Sequence, residues 1–349
     1  MRTFQLVKVN AATPFERGVQ YGEQAKEKIK QGVADYQKLF AQTSSWSWEE
    51  IKEDALSYLP LIEEVMPEIL EEARGIAVGA GVNLDGLMVL NCRYEITKFI
   101  RENECTTCAV LPTAAKQGKT LLVKNWDYRA GILDHIVIVQ IEEPDGTRMI
   151  GLTEAGQLIR EGFNSHGVGL CNNALQSIYD RKGIGIPVTF LRRKVLTCRS
   201  FDQAKKLLLT SQRSVSNNML LATKEGRAVN IEANPAGADL IEPVDGIITH
   251  ANHFVINPSL NSLDSTPRAQ RLHHLLMAEH GSITIEYIKK CMADHANYPD
   301  AICRHPSDVS LPLARRGLTV ASLIIDFAQH TIHICAGPPC AGEYTAYQL

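Results

Sequence analysis

Two cysteines three residues apart, Cys105 and Cys108 in "RENECTTCAVLP", are the first candidates for chemistry in this chain. Thiols at that spacing hold a zinc ion or form a redox couple, or one of them acts alone as a nucleophile. A zinc site needs a second pair of ligands. Cys303 with His305, or Cys335 with Cys340, offers only irregular spacing. A thioredoxin-like pair sits at a helix N-terminus, whereas an apolar run of strand character follows here. In a strand, positions 105 and 107 share one face while 106 and 108 share the other, so the two thiols point apart. That disfavours chelation by the pair. What remains is two inert buried thiols, the default for free cysteine, or a nucleophile.

The location of Cys105 favours the nucleophile. It stands where an all-helical leader gives way to a β-rich body. If the preceding peptide bond were cut, Cys105 would begin a new chain. Its freed α-amine, with a pKa of about 8, would sit beside the thiol as its base, so no separate histidine would be required.

Other patterns carry less. "AAKQGKT" ends like a phosphate loop, but Thr113 stands where the first glycine is needed. "HGVGLCN" lacks the third glycine of a dinucleotide fingerprint. In "HANH", His250 and His253 are three apart with no helix to align them, so one reads as packing and the other as a turn.

The elements that must position Cys105 are legible in outline. "TPFERGVQYGEQAKEKIKQGVADYQKLF" has helical periodicity, with Thr13-Pro14 as its start. Pro60 and Pro67 mark further helix starts, and Gly79 or Gly81 a stop. Asn83–Ile100 reads as one more helix, which makes the first hundred residues helical throughout. From residue 105 the texture is short β-branched runs separated by turns, notably Asp145-Gly146. A helical interlude spans Val188–Leu209, and two helices fall near Ala269–His280 and Thr284–Ala293. "TVASLIIDF" and "TIHICAG" close the chain as a hairpin-like pair. Helices and strands in blocks indicate α+β, with antiparallel sheets covered by helices.

The composition is that of an ordinary soluble globular protein: 349 residues, 45% hydrophobic, 21% charged, net charge −3. The charge leaves no footprint for nucleic acid or an acidic membrane. No apolar run is long enough to span a bilayer. The N-terminus has no secretory h-region and the nine cysteines are odd in number. Reduced thiols and a cytoplasmic location are therefore expected.

With those residues in view, the sequence resembles the acyl-coenzyme A:6-aminopenicillanic acid acyltransferase family, cysteine N-terminal nucleophile (Ntn) hydrolases that mature by autoproteolysis. The segments that carry the resemblance are "FERGVQYGEQ", "ECTTCAV", "VKNWDY", "NSHGVGLCNNAL", "THANHF", "DHANYPDAICRHP" and "TVASLIIDF", in the family's order and spacing. The resemblance implies a four-layer αββα sandwich of two antiparallel sheets between helical layers. It implies cleavage between Glu104 and Cys105 and an acyl-thioester on Cys105. Residues 1–104 would be a helical leader and 105–349 the catalytic body, the two fragments together forming one compact domain.

The resemblance also implies site residues. Asp127 in "NWDY" would hold or orient the α-amine. Asn252 in "HANHF" would stabilise the oxyanion, and Asn173 matches a second such position, with Asn172 beside it on the opposite face. An arginine before the last strand pair belongs to the site, and "LARRGLTVAS" offers Arg315 and Arg316, of which Arg316 is taken. His295, Arg304 and His305 lie in a resembling segment and receive no mechanistic role. The expected activity is amide hydrolysis or N-acyl transfer on a small-molecule amide or acyl-CoA thioester, with no metal and no cofactor. A lactam amine, an N-acyl amino acid and a β-alanyl or peptide-like amide remain open as substrates. A homo-oligomer is compatible with the sequence. Two competing readings stay open. Glu104, where better-known members carry Gly, keeps alive an uncleaved, inactive binding protein of the same fold. The pair Cys105/Cys108 keeps alive a thiol-redox or zinc protein.

Overall fold

Thr13 and Pro14 start a helix by the means their side chains provide. The Thr13 hydroxyl accepts from the Glu16 N–H at 3.2 Å and the Glu16 carboxylate accepts from the Thr13 N–H at 3.1 Å. Pro14 fills the first helical position, where its missing N–H costs nothing. The computed structural model, which describes residues 2–96, 105–180, 183–261, 267–313 and 316–349, begins its helices there. The leader holds α1 (Pro14–Gln24), α2 (Lys26–Thr43), α3 (Trp48–Leu56), α4 (Leu59–Val65), α5 (Pro67–Ala80), α6 (Leu84–Asn91) and α7 (Arg93–Ile96). Pro67 opens α5, and Gly81 closes it with φ at +65°, the left-handed cap glycine tolerates. The expected single helix from Asn83 is two, divided at Cys92, and its last four residues lie outside the described residues.

The leader is not helical throughout. Gln5–Val9 form a strand, β1. It pairs in parallel with β4 (Ile136–Glu142), so its partner is supplied by the β-rich body. Five residues carry too short a pattern to announce a strand whose partner lies about 130 positions away.

The body contributes β2 (Cys105–Val110), β3 (Leu121–Arg129), β5 (Arg148–Glu154), β6 (Glu161–Asn164), β7 (Val168–Ala174), β8 (Asn217–Thr223), β9 (Ala228–Asn234), β10 (Gly237–Ile241), β11 (Ile247–His250), β12 (Gly317–Asp326), β13 (Thr331–Ala336) and β14 (Tyr344–Gln348). One sheet has eight strands in the order β1-β4-β5-β6-β7-β8-β9-β10, the other six in the order β11-β2-β3-β12-β13-β14. Apart from β1–β4 the pairings are antiparallel. Asp145-Gly146 turns β4 into β5, with Gly146 at φ +82°. The helical interlude is two helices, α8 (Val188–Val195) and α9 (Phe201–Thr210), the second capped by Ser200. α10 (Arg268–Met277) and α11 (Ile285–Met292) follow β11.

Alternation along the strands divides the core into layers. Val137 and Val139 of β4 face the leader helices with α8 and α9. Ile136 and Ile138 face the other way, onto Leu122, Trp126 and Leu323 of the six-stranded sheet. The outer face of that sheet, with Cys108, Val110 and Val123, packs under Leu272 and Leu276 of α10 and Ile288 of α11. The result is α+β in four layers, αββα.

The segment "RGVQYG" explains how the leader is locked. α1 crosses α5 so closely that a Cβ on Gly18 would lie 2.1 Å from the Glu72 carbonyl oxygen, and one on Gly75 would lie 2.0 Å from that of Phe15. Only residues without a side chain permit this approach.

Candidate active site

Cys105 is the first residue of β2, opposite Trp126 of β3. Its side chain turns into the space between the sheets, while Cys108 lies in the separate cluster beneath α10 and α11. The two thiols therefore occupy opposite faces and do not form a common ligand pair. Burial pushes the Cys105 thiol above its ordinary value; Lys124 and the Asp127 backbone N–H oppose the rise, and the charges of Asp127 and Glu161 add to it. Burial thus favours the neutral thiol, and a nucleophilic role would require a base.

Its backbone is held at several points. The Cys105 N–H donates to Asn252 Oδ1 at 2.5 Å. The Cys105 carbonyl accepts from Arg268 Nη1 at 2.9 Å and from Asn173 Nδ2 at 3.5 Å. Asn252 Nδ2 in turn donates to the Ala174 carbonyl of β7 at 2.9 Å. Asn173 also donates to the carbonyls of His250 and Ala251, at 3.2 and 2.8 Å. One asparagine from each sheet's end thus reaches across to the other. Asn172 points away, its Oδ1 accepting from Arg192 Nη1 at 2.7 Å.

Asp127 follows Trp126 on β3 and is paired with Thr319 of β12, next to an irregularity between Thr319 and Ala321. The Thr319 hydroxyl donates to Asp127 Oδ1 at 2.6 Å, and Arg268 Nη1 stands 3.6 Å from Asp127 Oδ2. Arg268 is the residue that sequence reasoning missed. It opens α10 beneath β2 and also donates to Thr106 Oγ1 at 2.9 Å and to Asn252 Oδ1 at 3.1 Å. Arg316 does not join this group through any contact seen here; its guanidinium donates to the Leu311 carbonyl. Glu104 and Arg315 lie outside the described residues.

A small pocket of about 10 Å³, room for little more than a water molecule, opens on Cys105, lined also by Tyr94, Lys124, Trp126, Arg160 and Asn172. Lys124 projects inward from β3 and pairs with Glu161 of β6, both fully buried. Burial opposes ionisation of Glu161, but Lys124, Arg160 and Arg192 outweigh it and hold its carboxyl below the usual range. Arg160 lies 4.0 Å over the Trp126 ring and donates to Tyr94 Oη at 2.6 Å. A lysine inside the apolar run "LLVKNWDY" was the signal available for this charged floor. A larger cleft of about 310 Å³ runs between α2 and residues 129–135, with Tyr36, Ile132 and Leu313 in its wall. It lies away from Cys105, and the buried hydroxyls of Tyr36, in its wall, and Tyr128, in the lining of the smaller pocket, touch at 3.3 Å between the two.

His250 of "HANH" supports the loop that carries Asn252, and His253 stacks on it with ring centroids 6.1 Å apart. His250 Nε2 is 2.7 Å from Glu232 Oε1, with both side chains fully buried. The Glu232 carboxylate also accepts from the backbone N–H of Val255 and Ile256.

Two sheets sandwiched between helical layers give the four-layer αββα architecture of the Ntn-hydrolase fold. The chain belongs to the acyl-coenzyme A:6-aminopenicillanic acid acyl-transferase family, whose pattern matches residues 113–340. It is 27% identical over 337 residues to the acyl-coenzyme A:6-aminopenicillanic-acid-acyltransferase 40 kDa form of Emericella nidulans, covering 94% of this chain and 91% of that protein. Its fold is similar to that of an arginine-to-leucine variant of conjugated bile acid hydrolase from Clostridium perfringens, with a TM-score of 0.52 at 14% identity, over 70% of this chain and 97% of that one. A cysteine-to-alanine mutant of the same hydrolase gives 0.50 at 13% identity with the same coverage. No helix among the described residues is long and apolar enough to cross a membrane.

Proposed function

We propose that the chain is a self-processing cysteine Ntn enzyme that forms an acyl-thioester on Cys105 and passes the acyl group to water or to an amine. In maturation, Cys105 Sγ adds to the Glu104 carbonyl carbon. The C–N bond breaks, the α-nitrogen leaves with the thiol's proton, and water hydrolyses the resulting thioester. In turnover the α-amine takes the thiol proton and Sγ attacks the substrate carbonyl. The Asn252 amide, braced by the Ala174 carbonyl, donates to the oxyanion. The leaving amine or thiol departs with the proton from the ammonium, and the thioester then acylates water or an acceptor amine.

In this reading Asp127, tied to Thr319 and Arg268, sets the field at the α-nitrogen, and Asn173 fixes the strand end. Arg268 is the arginine of the site, and Arg316 has no part in it. The substrate is a small-molecule amide or acyl thioester whose carbonyl reaches Cys105.

The observation that carries the reading is the seat of Cys105: α-nitrogen bonded to Asn252, carbonyl bonded to Arg268 and Asn173, and thiol buried between the two sheets. Denaturing mass spectrometry of freshly purified and incubated protein tests it. Two fragments, one starting at Cys105, are expected, and neither cleavage nor amide turnover in Cys105→Ala. Amidase activity retained by Cys105→Ala refutes it.

A further inference from the structure

Behind Asp127, four side chains converge to which the proposed acyl transfer assigns no step: His295, Cys303, His305 and Cys340. One ligand atom from each, a ring nitrogen or a sulfur, lies within 4.8 Å of all the others. His295 Nε2 is 3.1 Å from His305 Nε2, which is itself 3.6 Å from Cys303 Sγ and 3.4 Å from Cys340 Sγ.

Hydrogen bonding alone satisfies this cluster poorly. A ring nitrogen offers either one proton or one lone pair. His305 Nε2 can therefore serve only one of its three neighbours. A cation at the centre would satisfy all of them at once.

The spacings point to one geometry. In a tetrahedral zinc site the bonds are about 2.0–2.1 Å to nitrogen and about 2.3 Å to sulfur, which makes the edges about 3.3 Å between two nitrogens and about 3.5 Å between nitrogen and sulfur. The three separations measured here match those edges. Two imidazoles and two thiolates are also the donor set of structural zinc, softer than calcium or magnesium would accept.

We propose that His295, Cys303, His305 and Cys340 form a structural zinc site. The backbone that carries them is already arranged. The loop closes on itself through the Tyr298 N–H to the His295 carbonyl at 3.0 Å and the Cys303 N–H to the Asp294 carbonyl at 3.0 Å. Cys340 sits in a turn where the Ala341 and Gly342 N–H groups both bond to the Pro338 carbonyl at 3.1 Å. Four protein ligands leave no open position, so the ion clips and does not catalyse.

What it clips is the segment leading to β12 against the turn after β13. Arg304, between two of the ligands, donates its N–H to Thr319 Oγ1 at 2.9 Å, and that hydroxyl bonds to Asp127. The ion is thus linked through a short chain of hydrogen bonds to the candidate active site. This site differs from the one weighed at Cys105 and Cys108. It draws one cysteine from each of two segments 37 positions apart in the sequence, between residues 303 and 340, and leaves out Cys335, whose Sγ faces the Gly337 carbonyl.

The test is metal content, independent of activity. Full-length protein purified without chelator is expected to hold one zinc per chain by plasma mass spectrometry. Cobalt added to the stripped protein should give tetrahedral visible bands and a near-ultraviolet thiolate charge-transfer band. Cys340 is exposed, so Cys340→Ser should keep the fold, as circular dichroism checks. Losing even an outer-shell partner costs about 10–100-fold in metal affinity, and losing this ligand should weaken zinc at least that much and diminish the charge-transfer band. Cys335→Ser should leave both unchanged. Stripped wild-type protein that takes up neither ion in equilibrium dialysis overturns the proposal. So does a folded Cys340→Ser variant that binds zinc as tightly as the parent.

Discussion

Arg268→Met tests whether one guanidinium organises the candidate site. The side chain is 2% exposed. It donates to the Cys105 carbonyl and Thr106 Oγ1 at 2.9 Å, to Asn252 Oδ1 at 3.1 Å, and stands 3.6 Å from Asp127 Oδ2. Methionine has similar reach, so little cavity is created and the loss is electrostatic. Each hydrogen bond involving a charged group contributes about 1.5–3 kcal/mol, but three from a single group do not add. Removing one partner of a buried ion pair costs about 3–5 kcal/mol, and that is the expected destabilisation. Urea unfolding in a Cys105→Ala background measures it on the uncut chain. Arg268→Lys should fall between, since an ammonium replaces the planar fork with a point charge. In the otherwise wild-type chain, displacing Cys105 by about 1 Å should slow cleavage and turnover by about a hundredfold. A stability loss under about 0.5 kcal/mol, the range of inconsequential surface changes, would refute the reasoning.

Gly18→Ala should force α1 from α5 and cost about 1–3 kcal/mol as an overpacked contact, seen as a lower Tm; Gly237→Ala, with open space around it, is the control. Cys108→Ser puts a hydroxyl into an apolar cluster and should cost about 1–3 kcal/mol while leaving cleavage and turnover intact; loss of function at unchanged stability would revive the thiol-pair reading. Glu154 and Glu161 have folded-state carboxyls held below their ordinary 4.5 because neighbouring cations outweigh burial. Their contribution to stability is therefore complete above that value and is lost as pH falls through the depressed ones. Denaturant midpoints measured across the acid range should drop there, and Glu161→Gln should flatten the fall.

Much of this protein is legible locally. Thr13-Pro14, Pro67 and Gly81 mark helix ends because caps involve residues three or four apart. Asp145-Gly146 marks a hairpin because the turn itself demands a left-handed residue. Strand alternation alone separates Cys105 from Cys108. The ordered segments from "ECTTCAV" to "TVASLIIDF" carry the family resemblance. What sequence left undecided depends on register and on the packing of one layer against another. β1 becomes a strand only because β4 offers it an edge. Asn173 and not Asn172 reaches Cys105, because the pleat of β7 turns the first toward the six-stranded sheet. Arg268, and not Arg316, bonds to the Cys105 carbonyl because α10 begins beneath the end of β2, a placement set by the whole fold. His295, Cys303, His305 and Cys340 have no motif spacing at all, yet a closed loop and a turn bring their side chains to one point. Caps, turns and alternation act over a few residues and can be read from them, whereas a cluster drawn from distant segments exists only once the sheets have set the distances between them.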